Sequence, residues 1–339
     1  MIKNYIYAVN VHTGGGLTLL NQLIEHTTED SLVIVDMRAK NKLQCNKKVQ
    51  FKFIQPTLFA RIGAELWLKK NVVSDATVLF FSSLPPIFSL NANKILFLHN
   101  ILLLSRFNLY EFEWTVRLRI MVERFWLRLF IKNIDEIFVQ SSEMLFLSRK
   151  ILAKPCSLTP FFERPPDDGL HGDDIEIIYD FIYVASGDPH KNHLKLIEAF
   201  VMLANDNLRP SLCLTLPEET FMNINSQIST LQRLHNLNIS NYTFNNSSKK
   251  RAYLSSKALI FPSNQESMGL PLLEAAFFNL DILASEKSYV RDFISPKETF
   301  DPDSALSIYR ALKRYLVSLD DKIRVLTPSQ FLENIFHAR

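Results

Sequence analysis

Cysteine is scarce in this chain of 339 residues: Cys45, Cys156 and Cys213 stand far apart, with no metal-ligand spacing between them. Three isolated thiols form no disulfide framework, so a reduced, cytosolic protein is expected. Long apolar runs are missing too. Even Ile95 to Leu104 is broken by His99-Asn100, short of the roughly 18 residues that a membrane span requires. Charge of one sign is not in excess, since the net is +3 at pH 7. No dense Lys/Arg block carries interleaved aromatics, which excludes an obvious nucleic-acid groove binder. The chain opens Met1-Ile2-Lys3-Asn4 and runs straight into a strand, so no signal peptide is expected. Internal repeats and low-complexity tracts are absent. What is present is 47% apolar residues, enough at this length to build about two cores.

Strand and helix patterns alternate along the chain, which predicts an α/β protein with parallel sheets covered on both faces. In the first half, strands are expected near 3–10, 32–36, 49–54, 77–81, 94–98 and 135–139, with helices near 17–26, 57–70, 107–132 and 141–151. A stretch rich in turn residues and acids, Pro160 to Gly169 and then Gly172-Asp173-Asp174, reads as an interdomain linker. A second α/β unit follows, with strands near 180–185, 211–216, 258–262 and 281–285. The resulting division is 1–165, 166–318 and a tail of 319–339.

The most informative segment lies in the second unit. Seven residues separate two acids in Glu266-Ser267-Met268-Gly269-Leu270-Pro271-Leu272-Leu273-Glu274, after the apolar run Ala258 to Phe261. Pro271 suits a first helical position because its missing N–H would be unpaired there anyway. The amides of Met268, Gly269 and Leu270 should therefore sit at a helix N-terminus, which attracts phosphate through free N–H groups and the helix dipole. Gly269 lets the backbone come close. Glu274, expected in the first turn among apolar neighbours, is costly there unless hydroxyls donate to it, and sugar hydroxyls are suitable donors. The plainer alternative is a favourable first-turn acid beside a solvated Glu266.

The stretch Phe261 to Ala275 resembles the E-x7-E signature of retaining GT-B glycosyltransferases, the large glycosyltransferase family 4. Phe181-Ile182-Tyr183-Val184-Ala185-Ser186-Gly187-Asp188-Pro189-His190-Lys191-Asn192, followed by an amphipathic helical pattern, is similar to the first strand, loop and helix of that family's donor domain. Lys191 then stands at a strand's C-terminal end, where open α/β sheets bind ligands, as a point charge for a diphosphate. Ser186 occupies the place where many members carry an Arg. The start of the chain matches as well. Strand Ile6 to Asn10 leads into His12-Thr13-Gly14-Gly15-Gly16, a loop whose Gly15 and Gly16 would let backbone approach a ligand before helix Leu17–His26. A rival dinucleotide fingerprint, with Asp36 as its acid, lacks the third Gly because Leu19 occupies that position.

The resemblance implies a GT-B fold, two Rossmann-like doubly wound sheets facing across a cleft, with the last helix near Leu326 to Phe336 crossing back to the first domain. It implies a retaining transfer of sugar from a nucleotide-diphosphate donor to a hydroxyl of an acceptor glycan, lipid-linked and belonging to surface-polysaccharide assembly such as O-antigen, lipopolysaccharide or capsule. Glu266 would orient the sugar, Glu274 would bind ribose, and Lys191 with the amides of Met268, Gly269 and Leu270 would hold the phosphates. His99, ending strand Lys94 to Leu98, matches the family's His beside the transferred sugar; its alternative is a strand-capping His bonded to a carbonyl. A sugar-nucleotide epimerase and a non-catalytic nucleotide-sugar-binding subunit remain as competing readings.

Two further segments bear on partners. Between Phe107 and Asn133, Trp114, Val116, Ile120, Met121, Phe125, Trp126, Leu129 and Phe130 interleave with Arg117, Arg119, Arg124, Arg128 and Lys132. That is the pattern of an interfacial helix on the anionic inner face of the cytoplasmic membrane, or of a crossover helix with its arginines in water. Asp301-Pro302-Asp303 has the D-x-D form of a metal-held diphosphate site, but Asp303 just precedes a helical run and reads as its N-cap. With Lys191 and a helix end at hand, neither metal nor cofactor is expected.

Overall fold

The computed structural model describes residues 2–28, 30–43, 49–163, 175–217, 220–242 and 246–317. A first, seven-stranded sheet is built from β1 (Asn4–Ala8), β2 (Ser31–Asp36), β3 (Gln50–Ile54), β4 (Thr77–Phe80), β5 (Asn93–Leu98), β6 (Glu136–Val139) and β7 (Cys156–Leu158). Their order is β3-β2-β1-β4-β5-β6-β7, all parallel. Between them run α1 (Gly14–Glu25), α2 (Leu58–Asn71), α3 (Trp114–Phe130) and α4 (Ser142–Leu152).

Alternate residues of these strands serve different cores, as the two-residue period of a strand dictates. Tyr5, Tyr7, Val78, Phe80, Leu96 and Leu98 pack with α2, α3 and α4 on one face. Ile6, Ala8, Val33, Val35 and Phe97 pack with Leu19, Leu20 and Ile24 of α1 on the other. Both faces are covered, so the strands read as nearly continuous apolar runs.

The second sheet holds β8 (Tyr179–Tyr183), β9 (Leu212–Leu214), β10 (Ile239–Asn241), β11 (Ser256–Phe261), β12 (Asp281–Ser285) and β13 (Glu298–Phe300), in the order β10-β9-β8-β11-β12-β13 and again parallel. Around it lie α5 (His193–Asn205), α6 (Met222–His235), α7 (Asn246–Leu254), α8 (Leu270–Phe277), α9 (Ser288–Arg291) and α10 (Ala305–Leu316). One core joins the strands to Leu196, Phe200, Leu272, Ile308 and Leu312 of these helices.

Each sheet has a topological switch point, between β1 and β4 in the first and between β8 and β11 in the second, where connections leave in opposite directions. The two switch points place the loops after β1, β8 and β11 where ligands bind in such sheets.

Several expectations need correction. Gly14–Gly16 do not form a loop ahead of a helix; they are the first turn of α1, which Thr13 precedes without a side-chain cap. The helix expected over 107–132 runs only from Trp114 to Phe130, with a short 3-10 turn at Leu109–Glu111 before it. Strands β7, β10 and β13, three residues each, escaped the periodicity. Ser304, not Asp303, caps α10: its hydroxyl accepts from the Ser307 amide at 3.2 Å. Of the linker expected over 160–169 and 172–174, all but residues 160–163 lies outside the described residues, as does the crossing helix expected near 326–336. No described helix is long and apolar enough to cross a membrane.

Candidate functional site

The loop after β8 tightens into a 3-10 turn over Pro189–Lys191, and Asn192 takes a left-handed conformation (φ +63°) to start α5. The loop after β11 runs from Pro262 to Gly269, whose φ of +75° caps α8 with no side-chain hydrogen bond. A Cβ at Gly269 would also meet Leu272 Cδ1 at 2.9 Å, so glycine is required for both backbone and space. Since β8 and β11 are neighbours, the two loops lie side by side. Lys191 Nζ donates to Glu266 Oε1 at 2.5 Å, with the side chains 16% and 12% exposed. The Asn264 amide and the Ser263 hydroxyl both donate to the His190 carbonyl, stapling one loop to the other.

The loop after β11 also reaches the first sheet. The Ser267 hydroxyl donates to the His99 carbonyl at 2.8 Å and accepts from the Ile101 amide at 3.0 Å. Met268 is buried, and its sulfur accepts from Gln140 Nε2 at 3.3 Å. Leu270 packs against the α1 core, and a Cβ on Gly15 would sit 3.0 Å from its Cδ1. A Cβ on Gly16 would sit equally close to His99 Cε1. The glycines thus make room for Leu270 and for the His99 ring. Further out, the Ser142 amide and hydroxyl donate to Asp292, and the Ser288 hydroxyl donates to Glu143.

His99 stacks on Phe81 and Phe97, and its Nε2 lies 2.8 Å from the Phe81 carbonyl. With the proton on Nε2, Nδ1 is left as an acceptor. Burial pushes its pKa down to about 4, against that carbonyl's opposing pull, so the ring is neutral at pH 7.

Glu274 departs most from expectation. It is the fifth residue of α8, beyond the first turn, and only 5% exposed. Both oxygens are engaged: Lys249 Nζ donates to Oε1 at 2.6 Å and the buried Tyr253 hydroxyl to Oε2 at 2.8 Å. The carboxylate is satisfied from within by α7, and a second ligand would join this set. Ser186 turns to Asp188, its hydroxyl 2.6 Å from Oδ2. Asp36, the acid of the rival dinucleotide reading, is held by three hydrogen bonds from Arg38.

Lys191, Glu266, His99, Gly15, Gly16, Met268, Gly269 and Leu270 are therefore brought to one seam between the sheets, while Glu274 and Ser186 make separate local sets. The sequence analysis missed Ser267, Lys249 and Tyr253. It missed His190 and His193 too, although His190 precedes Lys191 in the quoted motif and His193 follows the motif's last residue, Asn192. His193 is 1% exposed with neither ring nitrogen hydrogen-bonded, and its ring centroid lies 4.7 Å from that of Tyr183. Among the described residues no three His, Cys, Asp or Glu side chains gather as a metal set.

The family model for glycosyl transferases group 1 matches residues 178–321, the second sheet and its helices. Among solved structures the chain is similar to sucrose-phosphate synthase from Thermosynechococcus elongatus (14% identity, TM-score 0.66, covering 92% of this chain and 90% of that one). It is similar to Anabaena Alr3699/HepE in complex with UDP and glucose (10%, 0.67, 94% and 90%). A UDP-forming α,α-trehalose-phosphate synthase from Burkholderia vietnamiensis also matches (12%, 0.64, 93% and 92%). No curated protein matches the chain by sequence. The shared architecture is GT-B, two parallel-sheet α/β domains.

Proposed function

We propose that this protein is a retaining glycosyltransferase that moves a sugar from a nucleoside-diphosphate donor to a hydroxyl of a lipid-linked glycan, in surface-polysaccharide assembly at the inner face of the cytoplasmic membrane. The observation that carries the reading is the Lys191–Glu266 pair at the β8–β11 switch point, joined through Ser267 to the strand end that bears His99. A cation and a carboxylate in contact at a ligand-binding edge suit a molecule with two phosphoryl groups and a hydroxyl-rich ring.

On donor binding, Lys191 exchanges Glu266 for the diphosphate, and Glu266 turns to the sugar hydroxyls. The end of α8, capped by Gly269 alone, adds amides and its dipole at the phosphates. Negative charge grows on the leaving diphosphate as the glycosidic bond breaks, and fixed positive groups stabilise that charge most. His99, neutral with Nδ1 as acceptor, takes a hydrogen bond from a sugar hydroxyl. Glu274 receives the ribose hydroxyls beside Lys249 and Tyr253. On this reading the diphosphate's charge is met without a metal or cofactor.

The lipid-linked part rests on α3. Trp114, Leu118, Met121, Val122, Phe125 and Leu129 lie along one face of this helix, each between 47% and 71% exposed. Arg119, Arg128 and Lys132 are exposed beside them. An outward apolar stripe flanked by cations fits an anionic bilayer surface.

Thermal melts with a panel of nucleotides and nucleotide sugars, UDP-glucose first, test the donor reading. A ligand at 100 times its Kd adds about 2.7 kcal/mol, a shift of several degrees. If no member of the panel raises the Tm, the reading is wrong.

A further inference from the structure

The turn that carries Lys191 is held from both halves of the molecule. On its own side, the His190 carbonyl accepts from the Asn264 amide at 2.8 Å and from the Ser263 hydroxyl at 3.1 Å, which fixes the backbone one residue ahead of Lys191. The His190 ring meets the first domain instead. It stacks on Phe112, with centroids 6.0 Å apart and planes inclined by 26°, and meets Phe107 edge-on at 6.2 Å. Phe107 and Phe112 touch each other edge-on at 6.0 Å, which closes a cluster of three rings. Phe112 is 5% exposed and His190 8%. Burial, with Lys191 beside it, holds the His190 ring below its usual pKa range, so at pH 7 it is an uncharged partner for the two phenyl rings. No hydrogen bond reaches its buried Nδ1, and aromatic packing sets its place.

Phe107 and Phe112 are themselves fixed. They belong to the connection between β5 and α3, and two arginines of α3 bind its carbonyls. Arg117 donates to Leu109 at 3.1 Å, Tyr110 at 2.8 Å and Phe112 at 3.2 Å, and Arg124 donates to Leu102 at 2.9 Å and Ser105 at 2.8 Å. A guanidinium presents its donors in a rigid fork, so a connection made of loop and short 3-10 turns gains a fixed outline. By sequence these two arginines stood among the cations of an interfacial helix. In the fold they spend their donors on the segment that bears the two phenyl rings.

We propose that Phe112, with Phe107, is a positioning residue for Lys191: the first domain seats the His190 ring, and that seat fixes the turn from which the ammonium reaches Glu266. A lysine is a point charge on a flexible stem, so where its charge sits depends on how firmly its backbone is held. Half of that hold comes from the opposite domain. Lys191 is therefore in register only while the two halves are together. For the ligand-free protein the claim concerns the Lys191–Glu266 contact alone; its extension to a bound diphosphate rests on the donor reading proposed above.

The test uses the full-length protein with Phe112→Leu, which keeps apolar bulk but loses the ring, and Arg117→Met, which frees the segment without touching His190. Without ligand, the coupling between Lys191 and Glu266, measured by urea unfolding of the two single variants and the double, should fall by at least half in the Phe112→Leu background. With ligand, UDP, GDP and ADP are titrated by calorimetry, and uridine, guanosine and adenosine by competition against them. For whichever diphosphate the parent binds, Phe112→Leu should weaken it at least five-fold and its nucleoside less than two-fold, and Arg117→Met should weaken the diphosphate at least two-fold. In a Lys191→Met background the effect of Phe112→Leu on the diphosphate should shrink below two-fold, because the group it positions is gone. A ring that merely supports the fold would weaken nucleoside and diphosphate alike and would do so with or without Lys191. The proposal is overturned by that pattern, or by a Lys191–Glu266 coupling that Phe112→Leu leaves unchanged. If the parent binds none of the nucleotides, the donor reading falls, and the coupling measurement alone decides the seat.

Discussion

Breaking the Lys191–Glu266 pair from one side should be far more damaging than removing it whole. Lys191→Met strands a carboxylate that is 12% exposed, and Glu266→Gln strands an ammonium that is 16% exposed. Removing one partner of a fully buried pair costs about 3–5 kcal/mol, and the water that reaches this one lowers the figure to about 2–4 kcal/mol. The double variant leaves no charge behind and should lie within about 1 kcal/mol of the parent. The coupling from the four-protein cycle should then reach about 2 kcal/mol or more. Urea unfolding of the ligand-free protein, followed by far-UV circular dichroism, is the measurement. Tryptophan fluorescence would miss the effect, because Trp67, Trp114 and Trp126, the chain's three tryptophans, all belong to the first domain. Single variants that each cost under about 0.5 kcal/mol and simply add would refute the argument, since a pair that screened would hold no diphosphate either.

Three other outcomes follow from the geometry. Ser267→Ala removes both hydrogen bonds that tie the loop after β11 to His99 and Ile101, orphaning the buried Ile101 amide, and should cost about 1–3 kcal/mol; amide hydrogen exchange at Ile101 unchanged from the parent would contradict it. Gly269→Ala puts a Cβ at φ +75° and 2.9 Å from Leu272 Cδ1, so a loss of about 1–3 kcal/mol in thermal stability is expected, and an unchanged Tm would show the cap is relaxed. His193, pushed down to about 3 chiefly by burial and further by Lys191 and His190, is neutral in the folded protein, whereas the unfolded ring protonates near 6.5. Its contribution to stability is therefore full above pH 6.5 and falls as the pH drops below it, by up to about 1.4 kcal/mol per unit, beside like contributions from the buried His99 and His190; His193→Phe should reduce the slope by about that amount, and an equally steep slope in the variant would remove His193 as a source.

The sheets were legible because buried parallel strands are written as dense apolar runs: Leu32 to Val35 and Ala258 to Phe261 could hardly be anything else. Strands β7, β10 and β13 were not, although β9 is equally short: Leu212-Cys213-Leu214 is wholly apolar and buried, whereas Cys156-Ser157-Leu158, Ile239-Ser240-Asn241 and Glu298-Thr299-Phe300 each carry polar residues that break the run. At the site, chemistry carried by local spacing came through, as with Lys191 at a strand end and Gly269 ahead of Pro271. Partners that arrive from elsewhere in the chain did not. Lys249 and Tyr253 reach Glu274 from 25 and 21 residues away, and nothing in their own segment marks them. The glycines at 15 and 16 were read as room for a ligand, whereas the atoms that come close to them in the structure are those of the Leu270 and His99 side chains, a fact only the packing of two domains reveals. The same holds for α3, whose composition could not say which apolar residues turn outward: Ile120 and Leu127 are buried, while Trp114, Leu118, Met121, Val122, Phe125 and Leu129 are exposed.

Ser267, Met268 and Leu270 bridge the two halves of the molecule, while Glu266, in the same loop, closes on Lys191. Widening the gap between the halves must rupture the contacts of the very segment proposed to grip the sugar. On the glycosyltransferase reading proposed above, capture and release of the donor would be geared to the spacing of the jaws, and a substitution that loosened the bridge at Ser267 would shorten the time the spent diphosphate stays bound without touching any group in contact with it.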